Sequence, residues 1–252
     1  MAAILVTGGT GTLGRPVIER LRASGHELRV LTRGSRPGEP GLSYVKGDLA
    51  TGEGIAAAVD GVETIVHCAG SSKGDEEKTV QLVRAVREAK PHLVSMSVTG
   101  ADRVPGGMVT SYFAMKLATE KVVATSGLPW TVLRASQFYD LVPRFVRNLA
   151  KLPVIPVPGG MRVQPIETDE VAERLVELAL GRPQGLVPEM AGPKIYEMAD
   201  LVRDYLASAG MRRPVLAFPL PGKAGAALRA GAATAPDHAV GKRTWEEFLA
   251  AH

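Results

Sequence analysis

Apolar residues fall in two alternating rhythms along the first half of the chain. Short runs of strand length occupy 3–7, 27–32, 43–46, 63–67 and 92–97. Between them, apolar positions recur at helical spacing over 13–24, 53–59, 75–89 and 110–126. A sixth strand-like run, Trp130-Thr131-Val132-Leu133-Arg134, follows the fourth helical stretch. Strands alternating with helices predict an α/β fold, a parallel sheet covered by helices on both faces. Right-handed crossovers then bring the C-terminal ends of the strands to one edge, where such sheets bind ligands.

The rhythm changes after about residue 136. Prolines 153, 156, 158 and 165 interrupt the chain around Gly159-Gly160, after a short helix predicted at 139–150. Helices are predicted again at 169–180 and 197–209, with Pro183, Pro188 and Pro193 between them. The stretch 215–235 is rich in Ala, Gly and Pro.

The first strand feeds directly into Gly8-Gly9-Thr10-Gly11-Thr12-Leu13-Gly14, and that turn opens into the first helix. This is the context in which a glycine-rich turn binds a dinucleotide. Gly8 permits a tight turn, and Gly11 lets the backbone approach a pyrophosphate whose charge the helix N-terminus stabilises. Gly14 allows close packing of helix on strand, while Gly9 fills a position that the spacing leaves free. Thr10, Thr12 and Leu13 complete the expected cofactor-binding turn. The fold class that follows is a Rossmann-type, doubly wound parallel sheet with a small C-terminal substrate lobe. The chain reads as a single domain over 1–252, with 1–136 as its dinucleotide-binding core and 137–165 and 194–235 as the lobe.

The dinucleotide preferred is expected to be written at the end of the second strand. There the chain has Thr32-Arg33-Gly34-Ser35-Arg36 and no carboxylate to hold two ribose hydroxyls or to repel a 2′-phosphate. Arg33 offers a planar fork of donors suited to that phosphate, and Arg36 lies in the same loop. NADP(H) is therefore the expected cofactor.

Composition narrows the partners. The 252 residues carry a net charge of +4 with no dense basic block, so nucleic acid is not an expected partner. The single cysteine, Cys68, excludes an intrachain disulfide and suits the cytoplasm, the expected location. With the first strand at the start of the sequence no signal peptide is expected, and no apolar run reaches the ~18 residues of a membrane span. The histidines at 26, 67, 92, 238 and 252 form no metal-ligand spacing. His67, Cys68 and Trp130 read as packed core. A small-molecule substrate is the expected partner; the oligomeric state is not written in the sequence.

Tyr112 and Lys116 lie four apart in the fourth helix, about 400° of rotation, and so share a face. A neighbouring ammonium favours the phenolate and tunes a tyrosine for proton transfer to a carbonyl oxygen. Lys116 is also placed to hold a cofactor ribose. The preceding strand ends in Ser95, Ser97 and Thr99, of which Ser97 is chosen as the third catalytic group for its place near the C-terminal edge. Phe138, Tyr139 and Met161 are expected either to line an apolar substrate pocket or to pack the lobe.

With these motifs in view, the chain resembles an atypical short-chain dehydrogenase/reductase of the NmrA-like, NAD(P)H-binding group. The resemblance extends to Gly47-Asp48-Leu49, Gly127-Leu128-Pro129-Trp130, Gln137-Phe138-Tyr139 and the ending Gly241 to Leu249. It implies that Asp48 and Leu49 lie by the adenine. Cys68, Ala69 and Gly70 would lie along the nicotinamide half, and the segment beginning at Ala135 would close over the reactive end and add Gln137 to the substrate residues. It also implies an NADPH-dependent oxidoreductase reducing a small carbonyl, quinone or enone. Two alternatives stand beside it: a non-catalytic NADP(H)-sensing regulatory protein, and a reductase of flavins or other electron acceptors. Retention of Tyr112 and Lys116 favours an enzyme. His67-Cys68-Ala69-Gly70 departs from ordinary members in lacking an asparagine there.

Overall fold

A computed structural model describes residues 3–70, 74–107, 110–149 and 152–251. The predicted last residue of the 139–150 helix, and His252, lie outside them. The first strands and helices are β1 (Ala3–Thr7), α1 (Gly14–Arg22), β2 (Glu27–Thr32), β3 (Leu42–Lys46), α2 (Ile55–Val59) and β4 (Val62–His67). They continue with α3 (Asp75–Ala85), β5 (His92–Val98), α4 (Ser111–Ala124) and β6 (Trp130–Ala135). After α5 (Leu141–Asn148), β7 (Ile155–Gly159) and β8 (Arg162–Val163) come α6 (Thr168–Leu180), β9 (Gly185–Leu186) and β10 (Tyr196–Glu197). The chain ends with α7 (Met198–Ser208), β11 (Val215–Pro219), α8 (Gly222–Arg229) and α9 (Trp245–Ala250).

Seven strands form one sheet in the order β3-β2-β1-β4-β5-β6-β9. The first six follow the doubly wound order 3-2-1-4-5-6, so the chain reverses direction across the sheet between β1 and β4. β1 sits centrally and all five of its residues are buried, as expected of a parallel strand covered on both faces. Its register pairs Thr7 with Leu31 on one side and His67 on the other. The ends of β1, β2 and β4 thus meet at one level, which is where the glycine turn begins.

The chain divides into two compact units. The first takes in 1–97, 115–133 and 169–187. Its core joins Leu5, Leu31, Ile65, Leu82, Leu93, Val123 and Val132, contributed by strands and by α3 and α4. The second takes in 98–114, 134–168 and 188–252. Its core gathers Tyr139, Val142, Ile155, Val163, Leu201, Val202, Trp245 and Phe248. Trp245 and Phe248 stack with centroids 5.4 Å apart, and Tyr139 lies 5.6 Å from Trp245. A capping box starts α9: Thr244 Oγ1 accepts from Glu247 N at 3.3 Å, and Glu247 accepts from Thr244 N at 2.8 Å.

Two sequence expectations are revised. The third helix stops at Ala85, four residues short of the predicted 89, and Val86 to Lys90 turn back toward β5 with Lys90 at a positive φ of 49°. The proline-interrupted stretch holds a strand, β7, paired in parallel with β11. Pro156 and Pro158 are tolerated because, among the described residues, β11 is the single partner of β7. In a parallel ladder alternate residues turn their N–H away, and on this strand no neighbour needs it.

Candidate functional site

The glycine turn is built by close approach. Gly8 has φ of +69°, and a β-carbon there would stand 2.6 Å from the backbone of Ala69. A β-carbon on Gly14 would collide with Gly8 O, so the first turn of α1 lies directly on the loop. Gly9 differs from its sequence reading as a free position: it is buried, and a β-carbon would meet Ile18 at 2.6 Å and Val30 at 2.8 Å. The turn is closed by Gly11 N donating to Gly8 O at 2.9 Å.

Above the turn opens a cavity of about 710 Å³, lined by residues of the first unit alone. Thr7, Gly8, Thr10 and Gly11 form one wall, Leu31 to Gly34 another, and Gly47 to Ala50 a third, with Cys68, Ala69, Gly70 and Lys78 completing it. The residues fit a dinucleotide on two observations. α1 is capped at Leu13 with no side-chain hydrogen bond and has no acidic residue in its first turn, so no carboxylate neutralises the positive end of its dipole beside the turn. The cradle itself is backbone: Gly8, Gly11 and Gly47 line it, and β-carbons on Gly8 and Gly47 would strike neighbouring main chain at 2.6 and 2.7 Å.

Most of the expected cofactor residues line this cavity: Gly8, Thr10, Gly11, Arg33, Asp48, Leu49, Cys68, Ala69 and Gly70. Thr12 is exposed, and Leu13 and Gly14 are buried beneath the turn; none of the three is in the lining. Arg33 is exposed at the end of β2. Arg36 turns instead to the face of Tyr44, 6.0 Å from the ring centroid. Asp48 accepts from Ala50 N at 2.8 Å, so its carboxylate also fixes its own loop. Ala135, in the second unit, is buried and accepts from Thr99 N at 3.0 Å.

Burial pushes the Cys68 thiol up to about 12, partly opposed by the charge of Lys116, so it is a protonated wall group and no nucleophile. His67 beside it is held neutral. Burial, with Lys116 adding to it, lowers its pKa to about 4. Its ring is fixed at both nitrogens: Nδ1 lies 2.7 Å from Thr7 Oγ1 and Nε2 lies 3.3 Å from Thr79 Oγ1. Thr79 donates its proton to Asp75 O at 2.7 Å, so it accepts from His67 Nε2–H, and Thr7 donates to Nδ1.

Lys116 is buried and forms an ion pair with Asp75 Oδ2 at 3.3 Å. Tyr112 stands one turn earlier on α4, 38% exposed and edge-on to Phe113. Ser97, on β5, is buried, and its Oγ makes no hydrogen bond among the described residues; Thr99 Oγ1 is in the same condition.

The expected substrate residues belong to the second unit, where the structure ties two of them down. Tyr139 is corrected from a pocket residue to a core residue. It is fully buried and donates to Arg243 O at 2.7 Å, because its ring completes the cluster with Trp245 and Phe248. Gln137 donates to Ala233 O at 3.3 Å and accepts from Gln164 N at 3.4 Å. Phe138, whose backbone bridges Ile166, and Met161 are partly exposed.

A family described as NAD(P)H-binding matches residues 8–182, the span that carries the glycine turn and every lining residue of the cavity but Thr7. The chain belongs to this NAD(P)H-binding family. Proteins similar to the chain include reductases. A phenylcoumaran benzylic ether reductase of Nicotiana tabacum is 26% identical over 190 residues, 66% of this chain and 60% of its own. A chloroplast protein of Arabidopsis thaliana, named for a high chlorophyll fluorescence phenotype, is 28% identical over 234 residues, 86% of this chain and 58% of its own. The chain thus spans about 60% of the length of these two relatives. Among solved structures, an NADPH-dependent quinone oxidoreductase of Escherichia coli in complex with NADPH shares the fold. It has a TM-score of 0.78 at 18% identity, covering 98% of this chain and 99% of that one. Among the described residues, no helix is long and apolar enough to cross a membrane.

Sequence reasoning missed Asp75, Lys78, Thr7 and Thr79. Asp75 hides in Asp75-Glu76-Glu77, which reads as ordinary acidic dressing of a helix start. Its partner lies 41 residues on. Only the crossing of α3 and α4 over the sheet brings the two together.

Proposed function

We propose that this protein is an NADPH-dependent reductase of a small carbonyl, quinone or enone. The observation that carries the reading is the pairing of a dinucleotide-shaped cavity with Lys116 behind its wall and Tyr112 one turn away on α4. Arg33 would receive the 2′-phosphate, for the position offers a guanidinium and no carboxylate. Thr10, Gly11 and the positive end of α1 would hold the pyrophosphate, and Asp48 and Leu49 the adenine side. The bound dinucleotide would supply a hydride to the acceptor carbon. The protein's part is then to deliver a proton: Tyr112 would give its phenolic proton to the substrate oxygen, with Lys116 nearby to stabilise the phenolate that remains. Ser97 would steady the oxygen. The likeness to a benzylic ether reductase supports reduction, and the shared fold of a quinone oxidoreductase is compatible with it.

The test is NADPH consumption against a panel of quinones, ketones, enones and flavins. Turnover of a carbonyl, quinone or enone is the expected result. Tight NADPH binding with no acceptor consumed overturns the reductase reading in favour of a dinucleotide sensor. Turnover confined to flavins assigns the chain to electron-acceptor reduction.

A further inference from the structure

Lys116 does not stand alone behind the cavity. A β-carbon built on Gly70, a wall residue, would lie 3.8 Å from Lys116 Nζ and 3.6 Å from Asp75 Oδ2. The ion pair therefore sits immediately behind that wall, and both partners are buried. Asp75 is in turn held by more than its own helix. Its carbonyl accepts from Thr79 Oγ1 at 2.7 Å; Thr79 meets His67 Nε2 at 3.3 Å; His67 Nδ1 meets Thr7 Oγ1 at 2.7 Å. Thr7 is the residue immediately before Gly8. One chain of hydrogen bonds thus runs from the edge of the glycine turn, through the end of β4, to the start of α3. The carboxylate there meets an ammonium on α4.

We infer that Asp75 is a positioning residue for the dinucleotide: it aims the Lys116 ammonium at the Gly70 wall, and the Thr7–His67–Thr79 chain fixes where Asp75 stands. A lysine has four rotatable side-chain bonds and a point charge without directional preference, so an unpartnered one would sample many positions. Burying an ammonium also costs desolvation that a paired carboxylate offsets. Asp75 meets both needs, and its own carbonyl accepts from Thr79 Oγ1, which His67 Nε2 also engages. The consequence is that the ammonium is set in place before the ligand arrives, which lowers the ordering cost of binding. The inference rests on the dinucleotide occupying the cavity and does not require turnover.

The experiment is a double-mutant cycle read by NADPH fluorescence titration, using the full chain and the variants Asp75→Asn, Lys116→Met and the two combined. Asp75→Asn is expected to weaken NADPH binding about tenfold, the effect of one misplaced charge-assisted contact. In the Lys116→Met background the same change is expected to shift affinity less than about twofold, because the group it positions is gone. Unchanged affinity in Asp75→Asn overturns the inference. So does a tenfold loss that persists in the Lys116→Met background, since that is the signature of a role in the fold alone. Far-ultraviolet circular dichroism checks each variant. Should Asp75→Asn not fold, Asp75→Glu keeps the charge and moves it by one methylene. Weakened binding by that folded variant supports the inference, and parent-like binding overturns it. Failure of the unmodified chain to bind NADPH overturns this inference and the cofactor reading together. Normal binding without turnover on any acceptor removes only the reductase.

Discussion

Gly8 closes on Ala69: a β-carbon on the glycine would stand 2.6 Å from the nitrogen and α-carbon of the alanine. The glycine turn and the end of β4 are therefore one packed unit, and the nucleotide side of the cavity is shaped where they touch. Gly8→Ala adds both a backbone conformation unfavourable to alanine and a clash with main chain. It is expected to cost about 2–4 kcal/mol of stability and to abolish measurable NADPH binding. Urea unfolding followed by tryptophan fluorescence measures the first and titration the second. A parent-like midpoint would show that the turn relaxes at no cost.

Arg33 is the only basic residue of the 33–36 loop that lines the cavity. Arg33→Ala is expected to weaken NADPH binding about 10- to 100-fold, the worth of a hydrogen bond to a charged group, and to leave NADH binding nearly unchanged. Equal affinity of the parent protein for the two dinucleotides would remove the proposed preference.

Tyr112→Phe is expected to lower turnover of a ketone about 10²–10⁴-fold while NADPH affinity stays the same, since it removes a proton donor and little else. Lys116→Ala is expected to harm both turnover and binding. Steady-state kinetics together with titration separates the two. A quinone or flavin accepts hydride before a protein proton is required, so full activity of Tyr112→Phe on those acceptors would exclude the tyrosine from their reduction only.

His67 gives the fold a pH dependence. Its pKa is about 4 when folded and 6.5 in an ordinary environment, because burial disfavours the charged ring. The unfolded chain thus binds more protons between these values, and stability falls as pH drops through that window. The contribution is complete above about pH 6.5 and amounts to roughly 3 kcal/mol lost by pH 4, with about 2 kcal/mol gone at pH 5. Burial displaces His92 in the same direction and adds to the slope. His67→Gln is expected to flatten the difference between urea midpoints at pH 7 and pH 5. An unchanged difference would place the titration elsewhere.

Tyr139 tests the corrected reading of the second unit. Tyr139→Phe loses the hydrogen bond to Arg243 O and keeps the ring against Trp245. A stability loss of about 1 kcal/mol is expected, with no change in KM for any substrate. A raised KM would return Tyr139 to the substrate pocket.

Most of the first unit was legible because its signals are local; β9, two residues long, carried none and was not predicted. β1 to β6 and the helices between them are written as apolar runs with the right period, and the glycine turn announces itself by sitting between strand and helix. Asp48, Ala69 and Gly70 were reached through the resemblance, and they line the cavity. What the sequence concealed depends on distance along the chain. Asp75 looks like any acidic helix start until α4 delivers Lys116 to it. Gly9 looks optional until Ile18 and Val30 are seen pressing on it. β7 was hidden because its prolines argue against a strand wherever both neighbours must be paired, and here one neighbour is missing. Tyr139 fits an apolar pocket as well as an apolar core by composition. Only the approach of Trp245 and Phe248, more than a hundred residues later, decides between them.

The segment after β2 differs in kind from the rest of the cavity. Residues 33 to 41 are all exposed and carry none of the core, whereas Gly8, Gly9 and Gly14 are fixed by main chain or packed side chains at their backs. Mutational drift therefore meets unequal resistance around one ligand. A change at Gly14 costs the fold, but a change at Arg33 costs it almost nothing. On the proposed role of Arg33, a descendant of this chain would shift its dinucleotide preference at an exposed position, without passing through an unstable intermediate.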